Sequence, residues 1–203
     1  MSIPNLRLNI PRAVHVPGNL IDSNLRGYSC IVSPENYLPA NGAFTSEQTA
    51  GLPYQLAPAS GNNALRLTNG QSGTLTFENP VAAKTVFALI TSGEGTSLVN
   101  VTVNFEDNTT QHFTNHFVAD WFNGNNYAIT GLGRVERSGY NFQDFSDNPR
   151  LYEMELAISP ENQDKNITGI NFQRTSGGIA VTAVMGVSIE KGTPLCSEPT
   201  DLA

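Results

Sequence analysis

An aromatic and polar run in the second half of the chain has side chains suited to sugar recognition. It extends from Asp120 to Tyr127, reads DWFNGNNY, and contains the only tryptophan of the chain. Sugars present apolar C–H faces that stack on aromatic rings, while amide and guanidinium groups bond their hydroxyls. The candidate ligand-contacting residues are Trp121, Asn123, Asn125, Tyr127, Arg137 and Tyr140. For Trp121 a structural alternative stays open, in which its ring closes the end of the domain while Asp120 caps a turn.

A short acidic segment further along the chain offers oxygen ligands. Asp144, Asp147 and Asn148 lie close together in the sequence. Carboxylate and amide oxygens are the ligands that calcium prefers, although this spacing matches no EF-hand loop. Asx residues also form turns without a metal. We expect a structural turn here, with these three residues as the weak candidates for a structural calcium site and no other cofactor.

The residues that catalysis would need form no recognisable pattern. His112 and His116 lie on one predicted strand, where they would share a face at roughly 13 Å, too far apart to hold one metal jointly. No nucleophile elbow or zinc-protease motif is present. Glycosidases need two facing carboxyl groups. The candidates for such a pair are Asp120, Glu136, Asp144, Asp147, Glu153 and Glu155. Alternation predicts that Glu153 and Glu155 point outward into solvent, so no catalytic residue is assigned and no enzyme is expected.

Composition narrows the class of protein. Charged residues make up 14% of the 203 residues, against about 25% in typical domains, and Asn, Thr, Ser and Gly take their place. A polar, uncharged surface of this kind is typical of extracellular β proteins. The formal net charge of −7 argues against nucleic acid and anionic lipid as partners. No apolar run is long enough for a membrane helix. Cys30 and Cys196 could pair if the termini lie close together.

The pattern along the chain predicts strands joined by turns. Val99, Val101, Val103 and Phe105 alternate with polar residues, a turn follows at 106–108, and residues 109–117 return as the second strand of a hairpin. The other predicted strands cover 64–68, 73–77, 84–91, 151–159, 167–174 and 179–190. A short capped helix is expected near 159–164. The predicted fold class is an all-β antiparallel β-sandwich, with a jelly-roll topology of the galactose-binding-like kind.

Two stretches do not alternate clearly, namely residues 18–62 and 119–150. Long loops of compact domains tend to carry function, which favours the second stretch as the binding region. We expect one β-sandwich module over residues 8–190, followed by a linker over residues 191–203.

Several segments resemble a β-sandwich accessory module of large secreted Bacteroidota proteins that are exported by the type IX route. They cover 51–56, 61–67, 120–135, 148–152 and 167–175, and the resemblance extends over about residues 10–190. Residues 196–202, CSEPTDL, resemble the opening of a fibronectin type III domain, which implies a fragment of a longer chain. The resemblance implies a role in glycan binding, adhesion or spacing, and it supplies no catalytic residues.

The sequence therefore predicts a non-catalytic carbohydrate-binding or adhesion module of a secreted or cell-surface protein. Its partner would be a polysaccharide or surface glycan, and the module would be monomeric within the longer chain, without membrane insertion. The alternative is a purely structural spacer or interaction module, which predicts a buried Trp121. The third hypothesis is a glycan-active hydrolase whose catalytic residues form no recognisable motif.

Overall fold

A computed structural model of the chain describes residues 6–7, 28–29, 39, 42–57, 64–130, 134–136, 142–143, 149–176 and 178–192. The described strands are β1 (Leu6–Arg7), β2 (Tyr28–Ser29), β3 (Ala43–Thr45), β4 (Pro53–Gln55), β5 (Leu65–Leu67), β6 (Ser72–Gly93), β7 (Ser97–Phe105), β8 (Thr110–Val118), β9 (Tyr127–Ile129), β10 (Arg134–Glu136), β11 (Phe142–Gln143), β12 (Leu151–Ala157), β13 (Asn166–Ser176) and β14 (Val181–Lys191). A short 3-10 helix covers Pro160–Asn162. The pairings between the described strands are all antiparallel, so the predicted all-β antiparallel class is confirmed.

One long strand, β6, belongs to two sheets. Its first part, residues 72–82, pairs with β1 and β13 in a first sheet ordered β1-β6-β13-β7-β8. Its second part, residues 83–93, pairs with β12 and β14 in a second sheet ordered β5-β14-β6-β12-β9. The two predicted strands at 73–77 and 84–91 are thus one strand. Pro80 is tolerated within it because the ladder to β13 is interrupted between Thr76 and Val81, so no hydrogen bond from this residue is needed.

The inner faces of the two sheets enclose the main hydrophobic core, which makes the molecule a sandwich. Alternate residues of the second sheet, such as Val86, Ala88 and Ile90, meet Val101 and Phe172 of the first. Because side chains alternate between the faces of a strand, the intervening residues of β6 point away from this core.

Those intervening residues build a second, smaller core on the outer face of the second sheet. Phe87 and Leu89 cluster with Leu52 and Tyr54 of the β3–β4 hairpin region, and Trp121 and Ala128 belong to the same cluster. We call the parts that cover this face, residues 42–57 and 119–130, the outer layer. Burial on both faces explains the nearly continuous apolar run predicted to form a central strand.

Every predicted strand overlaps a described one, and three differences remain besides the merging of two predicted strands into β6. The β7–β8 hairpin forms with the predicted turn. The stretch 18–62 contains the β3–β4 hairpin, which its weak alternation did not indicate. The predicted helix is a single 3-10 turn with Pro160 at its start, and Ser159 makes no side-chain cap.

The third difference concerns the two histidines of β8, which do not share a face as predicted. His112 lies opposite Thr102, whereas His116 lies opposite the buried Val99. The ladder shifts register between these positions, where Asn115 adopts a left-handed φ of 58°. The extra residue of this bulge reverses the alternation, so His116 turns inward beside Phe113, with ring centroids 5.9 Å apart.

Some predictions fall on residues outside the described part of the chain. These are the pairing of Cys30 with Cys196 and the character of residues 193–203. The module limits at 8 and 190 likewise stay a prediction. Among the described residues no helix has the length and apolar character to cross a membrane.

Candidate functional site

The predicted binding run follows β8 and is fastened to the end of β6. Asp120 forms a parallel bridge with Ser92, and the Trp121 amide donates to the Ser92 carbonyl at 2.7 Å. In the other direction, the Ser92 amide donates to the carbonyl of Ala119 at 3.0 Å. We call residues 120–127 the rim loop, since they lie at the edge of the outer layer. These backbone bonds fix where the loop begins.

Asp120 holds the first turn of the rim loop in shape. Its carboxylate accepts hydrogen bonds from the amides of Gly95 (2.7 Å) and Phe122 (3.0 Å). Its carbonyl accepts a bond from the Tyr152 hydroxyl at 2.6 Å. Burial raises the pKa of Tyr152 to about 12, with Asp120 adding to the rise and Arg150 opposing it. Asp120 therefore caps a turn, as the structural alternative for this segment predicted.

Arg150, just before β12, fastens the middle of the rim loop. Its amide donates to the Trp121 carbonyl at 2.8 Å, and its guanidinium Nη1 donates to the Gly124 carbonyl at 2.6 Å. The guanidinium also lies over the ring of Tyr127, 5.0 Å from the ring centroid. A cation over an aromatic face is attractive, so Arg150 also fixes the plane of Tyr127.

Gly124 is required by the shape of the loop. Its φ is +147°, which side-chain-bearing residues rarely adopt, and a Cβ there would lie 2.7 Å from Ala119 Cβ and 2.9 Å from a ring carbon of Tyr152. The backbone can pass this closely over the Tyr152 ring only without a side chain.

The predicted ligand-contacting residues differ in how accessible they are. Trp121 is 7% exposed, and its ring packs edge-on against Phe122 with centroids 5.0 Å apart. Asn123 and Asn125 are exposed, and Tyr127 is half-buried. Arg137 and Tyr140 lie outside the described residues. The structure thus brings Asn123, Asn125 and Tyr127 together on one loop, places Trp121 in the core beneath it, and leaves the assignment of all six as ligand contacts a prediction.

Two residues of the site did not appear among the predicted ligand contacts. Arg150 contacts the rim loop from outside it. In the sequence, only its proximity to the aromatic run indicated a role in the site. Asn126, inside the run, is exposed with a left-handed φ of 62°, and its carbonyl accepts a bond from the Glu153 amide at 3.1 Å. Three exposed asparagines, Asn123, Asn125 and Asn126, therefore lie within the four residues that precede Tyr127.

Glu153 does not point into solvent as predicted. The β3–β4 hairpin region covers it, and its carboxylate accepts hydrogen bonds from the hydroxyls of Ser46 (2.7 Å), Thr49 and Tyr54 (3.1 Å). The alternation placed this residue correctly on the outer face of the sheet, but that face is covered at Glu153 and open at Glu155. Burial and the neighbouring Glu153 carboxylate raise the pKa of Tyr54 far above its usual value.

Of the candidate metal ligands and candidate catalytic carboxylates, only some of the carboxylates lie in the described part of the chain. The candidate calcium ligands Asp144, Asp147 and Asn148 lie outside it. Among the described residues no three or more His, Cys, Asp or Glu side chains cluster as a metal site would need. Of the acidic residues considered for a hydrolase pair, Asp120 and Glu153 are each bonded within the fold.

Comparison with known proteins finds similarity among solved structures only. The chain matches no protein-family model, and no curated protein is similar to it in sequence. Among solved structures it is similar to one described as "Carbohydrate binding module family29", with a TM-score of 0.33 and 10% identity over 77% of this chain and 85% of that one. A likeness this low carries no functional inference for the chain.

Proposed function

We propose that this protein is a non-catalytic module that binds a carbohydrate through its rim loop. The observation that carries the proposal is a set of three exposed asparagines, Asn123, Asn125 and Asn126, just before Tyr127 on a loop held by Asp120, Arg150 and Tyr152. Amides donate and accept hydrogen bonds at once, as sugar hydroxyls do. The loop is held before the ligand arrives, so little ordering entropy is lost on binding.

The ligand we propose is a neutral or weakly charged polysaccharide or surface glycan. The exposed amides carry no charge, and the overall charge of −7 disfavours strongly anionic ligands. The half-buried Tyr127 ring would stack on the C–H face of one sugar unit. Arg137 and Tyr140 would extend the contact from the neighbouring segment. Trp121 would support the loop from the core beneath it.

The proposed setting is the outside of the cell. The resemblance to secreted Bacteroidota modules and the uncharged polar composition support a monomeric accessory module of a secreted or surface protein, acting in adhesion or in holding a partner domain near its substrate. A calcium ion, if one is bound by Asp144, Asp147 and Asn148, would have a structural role.

Affinity electrophoresis in gels that contain plant, algal or microbial polysaccharides tests the proposal. Asn125→Ala removes one amide, and we expect it to weaken binding to a retarding polysaccharide by about tenfold. Tyr127→Ala removes the stacking ring and should weaken binding at least as much, whereas Tyr127→Phe keeps the ring and should lose less.

Gln173→Ala is the matched control. Gln173 is an exposed amide on β13, in the sheet that lies on the other side of the main core from the outer layer. Its loss should leave retardation unchanged. Equal effects of Gln173→Ala and Asn125→Ala, or no retardation by any polysaccharide of the three sources, would reject the rim loop as a glycan site.

A second candidate function is a structural spacer that separates neighbouring domains. The burial of Trp121 favours it, because a spacer needs a closed end and no exposed aromatic platform. The spacer predicts that the folded protein is retarded by none of the polysaccharides. Retardation that depends on Tyr127 would exclude it.

A further inference from the structure

The chain contains three Asn-Gly pairs, at 41–42, 69–70 and 123–124. In such a pair the main-chain nitrogen of the glycine can attack the side-chain carbonyl carbon of the asparagine, because glycine has no side chain to hinder the approach. The attack needs a glycine nitrogen that is not held in a hydrogen bond. The three pairs differ in this respect.

Two of the three glycine amides are engaged. The Gly42 amide donates to the Pro39 carbonyl at 2.7 Å, and the Gly70 amide donates to the Arg174 carbonyl at 3.0 Å. The Gly124 amide has no hydrogen-bond partner among the described residues. Exposure does not separate the pairs at 69 and 123, since Asn69 and Asn123 are both exposed. The free glycine amide is therefore the feature that distinguishes Asn123.

The fold also prevents this pair from being replaced at its second position. Gly124 has a φ of +147° and lies against Ala119 and Tyr152, where a Cβ would be within 3 Å of both. The close approach of the rim loop to the Tyr152 ring therefore keeps glycine after Asn123, and glycine is the residue that makes an asparagine most reactive.

We propose that Asn123 is a site of spontaneous deamidation in the folded protein. The Gly124 nitrogen forms a bond to Asn123 Cγ, the bond from Cγ to Nδ2 breaks, and ammonia leaves with the proton from the Gly124 nitrogen. Water then opens the cyclic imide at either carbonyl and gives aspartate or isoaspartate. The first product adds a negative charge to the rim loop, and the second lengthens the main chain just before Gly124.

The change would switch off the proposed glycan site over time. This consequence, unlike the deamidation itself, rests on the proposed function. Isoaspartate at 123 would displace Asn125 and Tyr127 from their fixed positions, and a carboxylate would replace an amide that both donates and accepts. The fraction of molecules deamidated at Asn123 would therefore increase with the age of the protein, and the fraction able to bind glycan would decrease.

Incubation of the folded protein in mildly alkaline buffer, followed by peptide mass spectrometry and isoaspartate detection, tests the proposal. We expect Asn123 to convert more than about tenfold faster than Asn69, because the bond of the Gly70 amide must open before attack. Asn123→Gln should abolish the main product, and Asn69→Gln should leave it unchanged. In denaturant all three pairs should convert at similar rates.

Conversion of Asn123 no faster than that of Asn69 in the folded protein would overturn the proposal. The binding measurement is separate. Deamidated protein that keeps its affinity for a retarding polysaccharide would leave the deamidation site intact but contradict the role of the rim loop in binding.

Discussion

Two tyrosine hydroxyls link the outer layer to β12 through hydrogen bonds. Tyr54 is 1% exposed and donates to the Glu153 carboxylate, while Tyr152 donates to the carbonyl of Asp120. Burial raises the pKa of both groups, to about 12 for Tyr152 and further for Tyr54. Unfolding would release each hydroxyl to its ordinary pKa near 10.

Stability should therefore fall as the pH rises above 10. The unfolded chain then loses tyrosine protons that the folded state keeps, so the stabilisation is complete below pH 10 and is lost above it. Each fully protected tyrosine contributes a slope of about 1.4 kcal/mol per pH unit. Urea unfolding at a series of pH values gives the free energy of unfolding of Tyr54→Phe and of wild type. Plotted against pH, the two free energies should run parallel up to pH 9 and converge between pH 10 and 11. Parallel curves throughout that range would contradict the protection of Tyr54.

The single tryptophan reports on the outer layer by itself. Trp121 is 7% exposed beneath the rim loop, so acrylamide should quench its fluorescence weakly in the folded protein and strongly in urea. The free indole in the same buffer supplies the upper limit. Quenching of the native protein close to that limit would mean that the ring is open to solvent, and Trp121 would return to the list of stacking candidates.

At the scale of elements, the Glu153 carboxylate and apolar packing both hold the β3–β4 hairpin region to the second sheet. Glu153 accepts bonds from the hydroxyls of Ser46, Thr49 and Tyr54, and Leu52 and Tyr54 bury their side chains against Phe87 and Leu89. Glu155, two residues along the same strand, is exposed. The two glutamates thus form a natural pair of test and control.

Glu153→Ala should lower the free energy of unfolding by roughly 2–3 kcal/mol, because three hydroxyl donors lose their acceptor and two of them, those of Ser46 and Tyr54, belong to buried residues. Glu155→Ala should change it by less than about 0.5 kcal/mol. Urea unfolding measures both. Similar values for the two variants would show that solvent replaces the Glu153 carboxylate as the acceptor of these hydroxyls.

The elements that sequence alone could predict were those with clear alternation. Val99, Val101 and Val103 of β7 fixed the hairpin with β8, since the period of two is a local property. The bulge at Asn115 broke the same rule within β8. The β3–β4 hairpin has only three residues in each strand, so its stability comes from packing on Phe87 and Leu89, which no local pattern reveals.

In the candidate site, too, the local features were predictable and the contacts between distant segments were not. Residue types singled out Asn123, Asn125 and Tyr127, since their chemistry is readable from the sequence. The partnership of Arg150 with Tyr127 and the burial of Trp121 both arise from contacts between distant segments. The covered state of Glu153 has the same cause, because it depends on a hairpin that the pattern did not predict.

At the scale of the whole molecule, the sandwich core is apolar except at one end. Ser97 of the first sheet and Thr182 of the second share a hydrogen bond of 2.6 Å across the core. Arg174 follows Ile170 and Phe172 on the inner face of β13 and is 0% exposed. Its Nη2 donates to the Gly178 carbonyl at 3.1 Å, while Nε and Nη1 have no hydrogen-bond partner in the described structure. Burial lowers the pKa of this guanidinium, as expected for a charge removed from water.

Arg174→Met should therefore raise the free energy of global unfolding, by about 1–3 kcal/mol, because a side chain of similar length without charge or donors would fill the same space. Arg174→Lys keeps the charge and weakens the Gly178 bond, so it should give no such gain. Thermal and urea unfolding at neutral pH separate the two outcomes. A methionine variant less stable than wild type would mean that the guanidinium is paired in solution, and chloride or phosphate that stabilises wild type but not the variant would identify an anion as its partner.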